Sequence, residues 1–85
     1  MRELTKVEKE QIEQHNTWYN KLGKPGKRLN WRNADLSQTY MRDVNLREAN
    51  LRKANLCESD LSHSDLTWAI LDGADLRGCK LNGAD

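Results

Sequence analysis

From residue 29 onward the apolar positions recur every fifth residue. Trp31, Leu36, Met41, Leu46, Leu51, Leu56, Leu61, Leu66, Leu71, Leu76 and Leu81 hold one place in eleven pentads, here called the central place. Two residues before them stand Leu29, Ala34, Thr39, Val44, Ala49, Ala54, Ser59, Ser64, Ala69, Ala74 and Cys79, most of them small. One residue before, eight of eleven positions are Asn or Asp. On an α-helix five residues advance about 500°, so the central residues would spiral and form no face. On a strand an odd spacing sends successive ones to opposite sides. A chain that bends once per pentad gathers them all. Four pentads then close a square coil of about twenty residues, with the central and small side chains inside and the other three positions outside.

Residues 1–28 lack this period and read as a helix with defined ends. Thr5 followed by Glu8 forms a capping-box pattern. Ile12, His15, Trp18, Tyr19 and Leu22 make an apolar stripe at helical spacing. Gly23 suits the C′ position, and Pro25 prevents the helix from continuing. The chain therefore divides into a capping helix with its turn, residues 1–28, and a repeat, residues 29–85.

The pattern A-(D/N)-L-x-x, as in "ANLRKANLCESDLSHSDL", resembles the pentapeptide-repeat family. The resemblance covers residues 29–85 and implies an all-β solenoid, a right-handed quadrilateral β-helix of about 2.75 coils with an N-terminal capping α-helix. The preceding stretch is similar to a lead-in of the H-x-x-W…G-x-x-G type, carried by His15, Trp18, Gly23, Gly26 and Arg28. In that lead-in His15 is expected to pin the helix to the turn before the first coil.

A stack of coils exposes apolar layers at both ends and needs caps. The helix is expected to lay its stripe over the first coil, whose central residues are Trp31, Leu36, Met41 and Leu46. At the other end Leu66, Leu71, Leu76 and Leu81 are the candidate dimer surface, covered by a second copy tail to tail.

Charge changes this picture only in its distribution. The formal net charge is +1, but residues 1–53 carry 12 Lys or Arg against 7 Asp or Glu, and residues 54–85 carry 2 against 6. Cys57 and Cys79 have no CxxC spacing, which argues against a disulfide framework or a zinc site. Met1 leads into charged sequence without an apolar leader or a membrane-length run, so a cytoplasmic, reduced protein is expected.

No catalytic, metal or cofactor constellation emerges. His63 lies between Ser62 and Ser64, but neighbours along an extended segment point apart, and no third partner follows. Cys57 faces outward without a base or metal partner, and Cys79 replaces a small inner residue. The arginines of the first coils fall on three sides and so form no phosphate stripe; nucleic acid is not the expected partner. Gly73, Gly78 and Gly83 share a corner where positive φ is useful.

The polar rule breaks at Tyr40 and Ile70, and Trp68 stands at a corner two residues before Ile70. These three are the candidate partner patch. The expected function is a non-catalytic protein–protein interaction module, dimeric and without a cofactor. The alternative, drawn from the family resemblance, is a DNA mimic occupying the DNA site of a topoisomerase or a phage-defence effector. Its candidate acidic surface is Glu58, Asp60, Asp65, Asp72 and Asp75. Two quantities weaken it. Residues 29–85 carry 9 acidic against 7 basic side chains, a net of −2. A stack about 13 Å tall spans only about four base pairs.

Overall fold

The computed structural model describes residues 1–20 and 26–85. The expected features at Leu22, Gly23 and Pro25 lie outside the described residues. Helix α1 spans Lys6–Asn20. Its start is the capping box: Glu8 N–H donates to Thr5 Oγ1 at 3.1 Å, and Thr5 N–H donates to Glu8 Oε1 at 2.8 Å. Arg2 adds a bridge to the same carboxylate at 2.8 Å.

After residue 28 the chain returns above itself every twenty residues. Parallel bridges join Asn30 to Asn50, Asp35 to Asn55, Tyr40 to Asp60 and Asn45 to Asp65, then Asn50 to Ile70, Asn55 to Asp75 and Asp60 to Lys80. These define four faces, numbered in chain order from the columns 30/50/70, 35/55/75, 40/60/80 and 45/65. Faces ten residues apart are opposite one another. Each bridge is isolated, and no continuous strand forms among the described residues. Main-chain bonds still lock the layers. On the first face Asn50 N–H donates to Leu29 O, Trp31 N–H to Asn50 O and Asn33 N–H to Arg52 O, at 2.8 to 3.0 Å.

The pentad supplies the corner. The carbonyl of a central residue accepts the N–H three residues later, as from Ala54 to Leu51 and from Ala74 to Leu71. Between them lies a residue with positive φ, from Asn33 (62°) through Trp68 (61°) to Gly83 (70°). A turn with its third residue left-handed has this form and favours glycine there. The Asn or Asp before each central residue has a defined task. All eight use Oδ1 to accept the N–H two residues on, from Asn30 with Arg32 to Asp75 with Arg77. Such Asx turns satisfy an N–H that the corner turns away from the ladder.

Two corners differ. Ser59 Oγ accepts from Thr39 N–H at 3.2 Å and donates to Leu36 O. Ser64 Oγ accepts from Val44 N–H at 3.0 Å and donates to Met41 O at 2.5 Å. The hydroxyl of one coil thus bridges the turn of the coil below it. Serine at the small position does more than make room.

The core is the column of central residues. Trp31, Leu36, Met41, Leu46, Leu51, Leu56 and Leu61 are buried, together with Leu29, Ala49 and Ala54. Full burial of each large side chain contributes about 1.5–3 kcal/mol. The column opens toward the last coil. Leu66, Leu71 and Leu76 are half-buried, and Leu81 is 41% exposed.

At the other end α1 covers the first coil, with Ile12 against the core and Gln11 Oε1 accepting from Trp31 Nε1 at 2.9 Å. His15 is fully buried. Its Nδ1 accepts from Leu29 N–H at 2.9 Å, and its Nε2 donates to Arg47 O at 2.8 Å. The pin therefore joins the helix to both ends of the first coil, and its partners fix the Nε2-protonated tautomer. Burial lowers the imidazole pKa. Trp18 stacks on His15 at 5.6 Å, and the Arg47 guanidinium lies 4.0 Å over the Tyr19 ring.

A second cap was absent from the sequence reading. Arg2 N–H donates to Gln38 O, and Tyr40 N–H donates to Arg2 O. The N-terminal segment thereby supplies the main-chain partner that a coil beneath the third face would otherwise provide.

Candidate interaction surface

The register sorts the candidate residues by face. Ile70 lies on the first face, and Trp68 sits at the corner leading into it. Tyr40 belongs to the third face, on the opposite side. The three do not form one patch. Tyr40 stands below Asp60, next to Thr39, which bridges Arg2, and is 43% exposed. Trp68 is 83% exposed, and Ile70 beside it is half-buried.

The acidic candidates are dispersed as well. Asp72 is on the first face, Asp75 on the second with Glu58 at its corner, Asp60 on the third and Asp65 on the fourth. Three of them are engaged locally. Asp60 binds the Ser62 hydroxyl at 2.5 Å and faces Arg42 at 3.9 Å. Asp65 binds the Thr67 hydroxyl at 2.5 Å and faces Arg47 at 3.4 Å. Asp75 pairs with Arg77 at 2.5 Å. Hydrogen bonds from these partners hold all three carboxyls below their ordinary range.

The nucleophile candidates are occupied or unactivated. The hydroxyls beside His63 are spent on Asp60 and on Met41 O. The neighbouring Asp75 carboxylate pushes the Cys57 thiol up, and burial does the same for Cys79. Both cysteines are free. Among the described residues no cluster of His, Cys, Asp or Glu is placed to hold a metal ion. No described helix is long and apolar enough to cross a membrane.

Two hollows are shallow and lie at the capped end. One of about 370 Å³ runs between Val7, Gln11 and Gln14 of α1 and the Lys27–Asn30 entry to the coil. The other lies beside Arg2, Asp35 and Gln38. Neither gathers convergent catalytic groups.

The corner column of the first face was missed in the sequence reading. Arg28, Glu48 and Trp68 succeed one another at intervals of twenty, and Arg28 Nε donates to Glu48 O at 2.5 Å. The signal was present in the register, because residues twenty apart share a column.

No curated protein matches the chain. It is similar to a solved pentapeptide repeat protein from the Arabidopsis thaliana thylakoid lumen, with 30% identity and a TM-score of 0.65. The match covers 67% of this chain and only 39% of that one. Pentapeptide repeats in eight copies match residues 28–57 and 49–85, the same stretch in which the twenty-residue register appears. The chain belongs to the pentapeptide-repeat family.

Proposed function

We propose that the chain is a non-catalytic protein–protein interaction module. The observation that carries this reading is Trp68. Its large apolar side chain is 83% exposed at a φ of 61°, in a pentad place that the other ten corners fill with glycine or a polar residue. A bulky residue in left-handed backbone costs about 1–2 kcal/mol, and here almost no burial offsets the cost. Strain without a packing return supports a role outside the fold. Photo-crosslinking from Asp72 on the first face, against Asn82 on the third, tests it.

Two further features complete the reading. The coil is a right-handed quadrilateral β-helix of about 2.75 turns, as the family match supports. A second copy docks tail to tail over Leu66, Leu71, Leu76 and Leu81, the part-exposed end of the core column. The free Cys57 and Cys79 suit a reducing compartment such as the cytoplasm. DNA mimicry loses support, because its acidic residues are spread over all four faces and three are paired or hydrogen-bonded locally.

A further inference from the structure

Six arginines lie between residues 28 and 77. Arg42, Arg47 and Arg77 each face an aspartate. Arg28, Arg32 and Arg52 have no carboxylate within ion-pair distance, although every Asp and Glu of the chain is among the described residues. For Arg32, Arg42, Arg47 and Arg52 the division follows a spacing rule. Arg42 reaches Asp60 and Arg47 reaches Asp65, each eighteen positions later in the coil above. The same step leads from Arg32 to Asn50 and from Arg52 to Ile70. Neither residue carries a charge.

The three arginines without a carboxylate partner share one side, Arg28 being held there by its bond to Glu48 O. Arg32 lies under Arg52 on the first face, at a layer spacing of about 4.8 Å. Arg28 is at the entering corner, and Lys53 is at the leaving corner with its stem against Gly73. Arg28, Arg32 and Lys53 are exposed, and Arg52 is half-buried. The exposed Trp68 and half-buried Ile70 stand in the coil above on the same side, beside Asp72, which occupies the place above Arg52. The break in the repeat at Ile70 does two things at once: it supplies apolar surface and leaves Arg52 without a partner.

We infer that the first face binds an acidic segment of a protein partner, one with an apolar side chain next to its carboxylates. This rests on the protein-interaction reading above and adds the partner's chemistry. Carboxylates dock on the Arg32–Arg52 pair, whose guanidinium groups favour bidentate acceptors. The apolar anchor packs on Trp68 and Ile70. A nucleic acid fits less well. Glu48 and Asp72 on the same side restrict any anionic ligand to the Arg32–Arg52 pair, which suits a few discrete carboxylates better than a continuous phosphate backbone, and Ile70 adds an aliphatic contact that suits a side-chain anchor.

The test uses the full chain and three labelled probes: a glutamate–leucine peptide, its glutamine–leucine counterpart and a single-stranded oligothymidylate. The acidic peptide is expected to shift amide resonances of Arg32, Asn50, Arg52, Trp68 and Ile70, with binding that weakens as salt rises. The glutamine peptide should bind about tenfold more weakly or worse. The double variant Asn50→Asp/Ile70→Asp places carboxylates where Arg42 and Arg47 find theirs, and Asp preserves the Asx turn that Asn50 makes. It should keep the native circular dichroism and lose about tenfold or more in affinity. Arg32→Gln/Arg52→Gln, which adds no carboxylate, should lose as much. Acidic-peptide binding that is absent, indifferent to both variants or located on another face overturns the inference. So does preference for the oligothymidylate. If Asp72 still crosslinks to a protein partner while both double variants leave that capture unchanged, the acidic-segment inference fails and the interaction module stands. If Asp72 captures no protein, both fall.

Discussion

The imidazole of His15 has no exposed surface, and both of its nitrogens are committed. A proton added at Nδ1 would meet the Leu29 N–H, donor against donor. Burial lowers the pKa most; Arg28 and Arg47 nearby also lower it, while the bond to Arg47 O and the charge of Glu48 oppose them. The unfolded chain takes up this proton near the ordinary value of 6.5. The His15 contribution is thus complete above that pH and declines as pH falls through it toward the lower folded pKa. Chemical denaturation should show stability falling as pH drops through 6.5. His15→Gln should be less stable at neutral pH by about 1–3 kcal/mol and flatter over that drop in pH. An unchanged slope in the variant would remove the pin from the account. Asp60, Asp65 and Asp75, with depressed pKa values, weaken the fold only in stronger acid. At this scale the sequence showed that Asn and Asp stand outside, but not why. The answer, an N–H two residues on, appears only once the corner has a shape.

At the scale of elements the cap depends on close approach. A Cβ on Gly26 would lie 2.4 Å from Trp18 N and 2.7 Å from Gln14 O, both main-chain atoms of α1. No rotamer change relieves that, so Gly26→Ala must move the helix off the first coil. We expect a loss of about 2–4 kcal/mol, seen as a lower denaturation midpoint. A change under about 0.5 kcal/mol would show the helix to be loosely seated. The capping box and the apolar stripe announced α1, because both rest on side-chain identity at helical spacing. The bridge from Arg2 to Gln38 and Tyr40 gave no such notice, since main-chain atoms make it and any residue there carries them.

For the whole molecule, the pentad register settled the order of layers before any geometry was known. It also held more than the sequence reading took from it. Positions 40 and 70 differ by one coil and a half, which alone separates Tyr40 from Trp68 and Ile70. The eighteen-residue step from Arg42 to Asp60 was not legible, because it depends on how far a guanidinium leans across to the next coil. The open end of the core column belongs to this scale too. Light scattering at micromolar concentration should report about twice the 9.9 kDa chain mass, and Leu81→Asp should return it to the monomer without loss of fold. A monomeric parent chain would remove the tail-to-tail dimer.

The interaction reading itself is tested most directly by placing a photoreactive residue at Asp72 and, in a second chain, at Asn82. Both positions are exposed, ten residues apart and on opposite faces. Illuminated in a lysate of the source cell, the Asp72 chain should form a crosslink to a defined protein, lost on Trp68→Ala, and the Asn82 chain should not. Equal capture from both positions, or none from Asp72, would contradict the account.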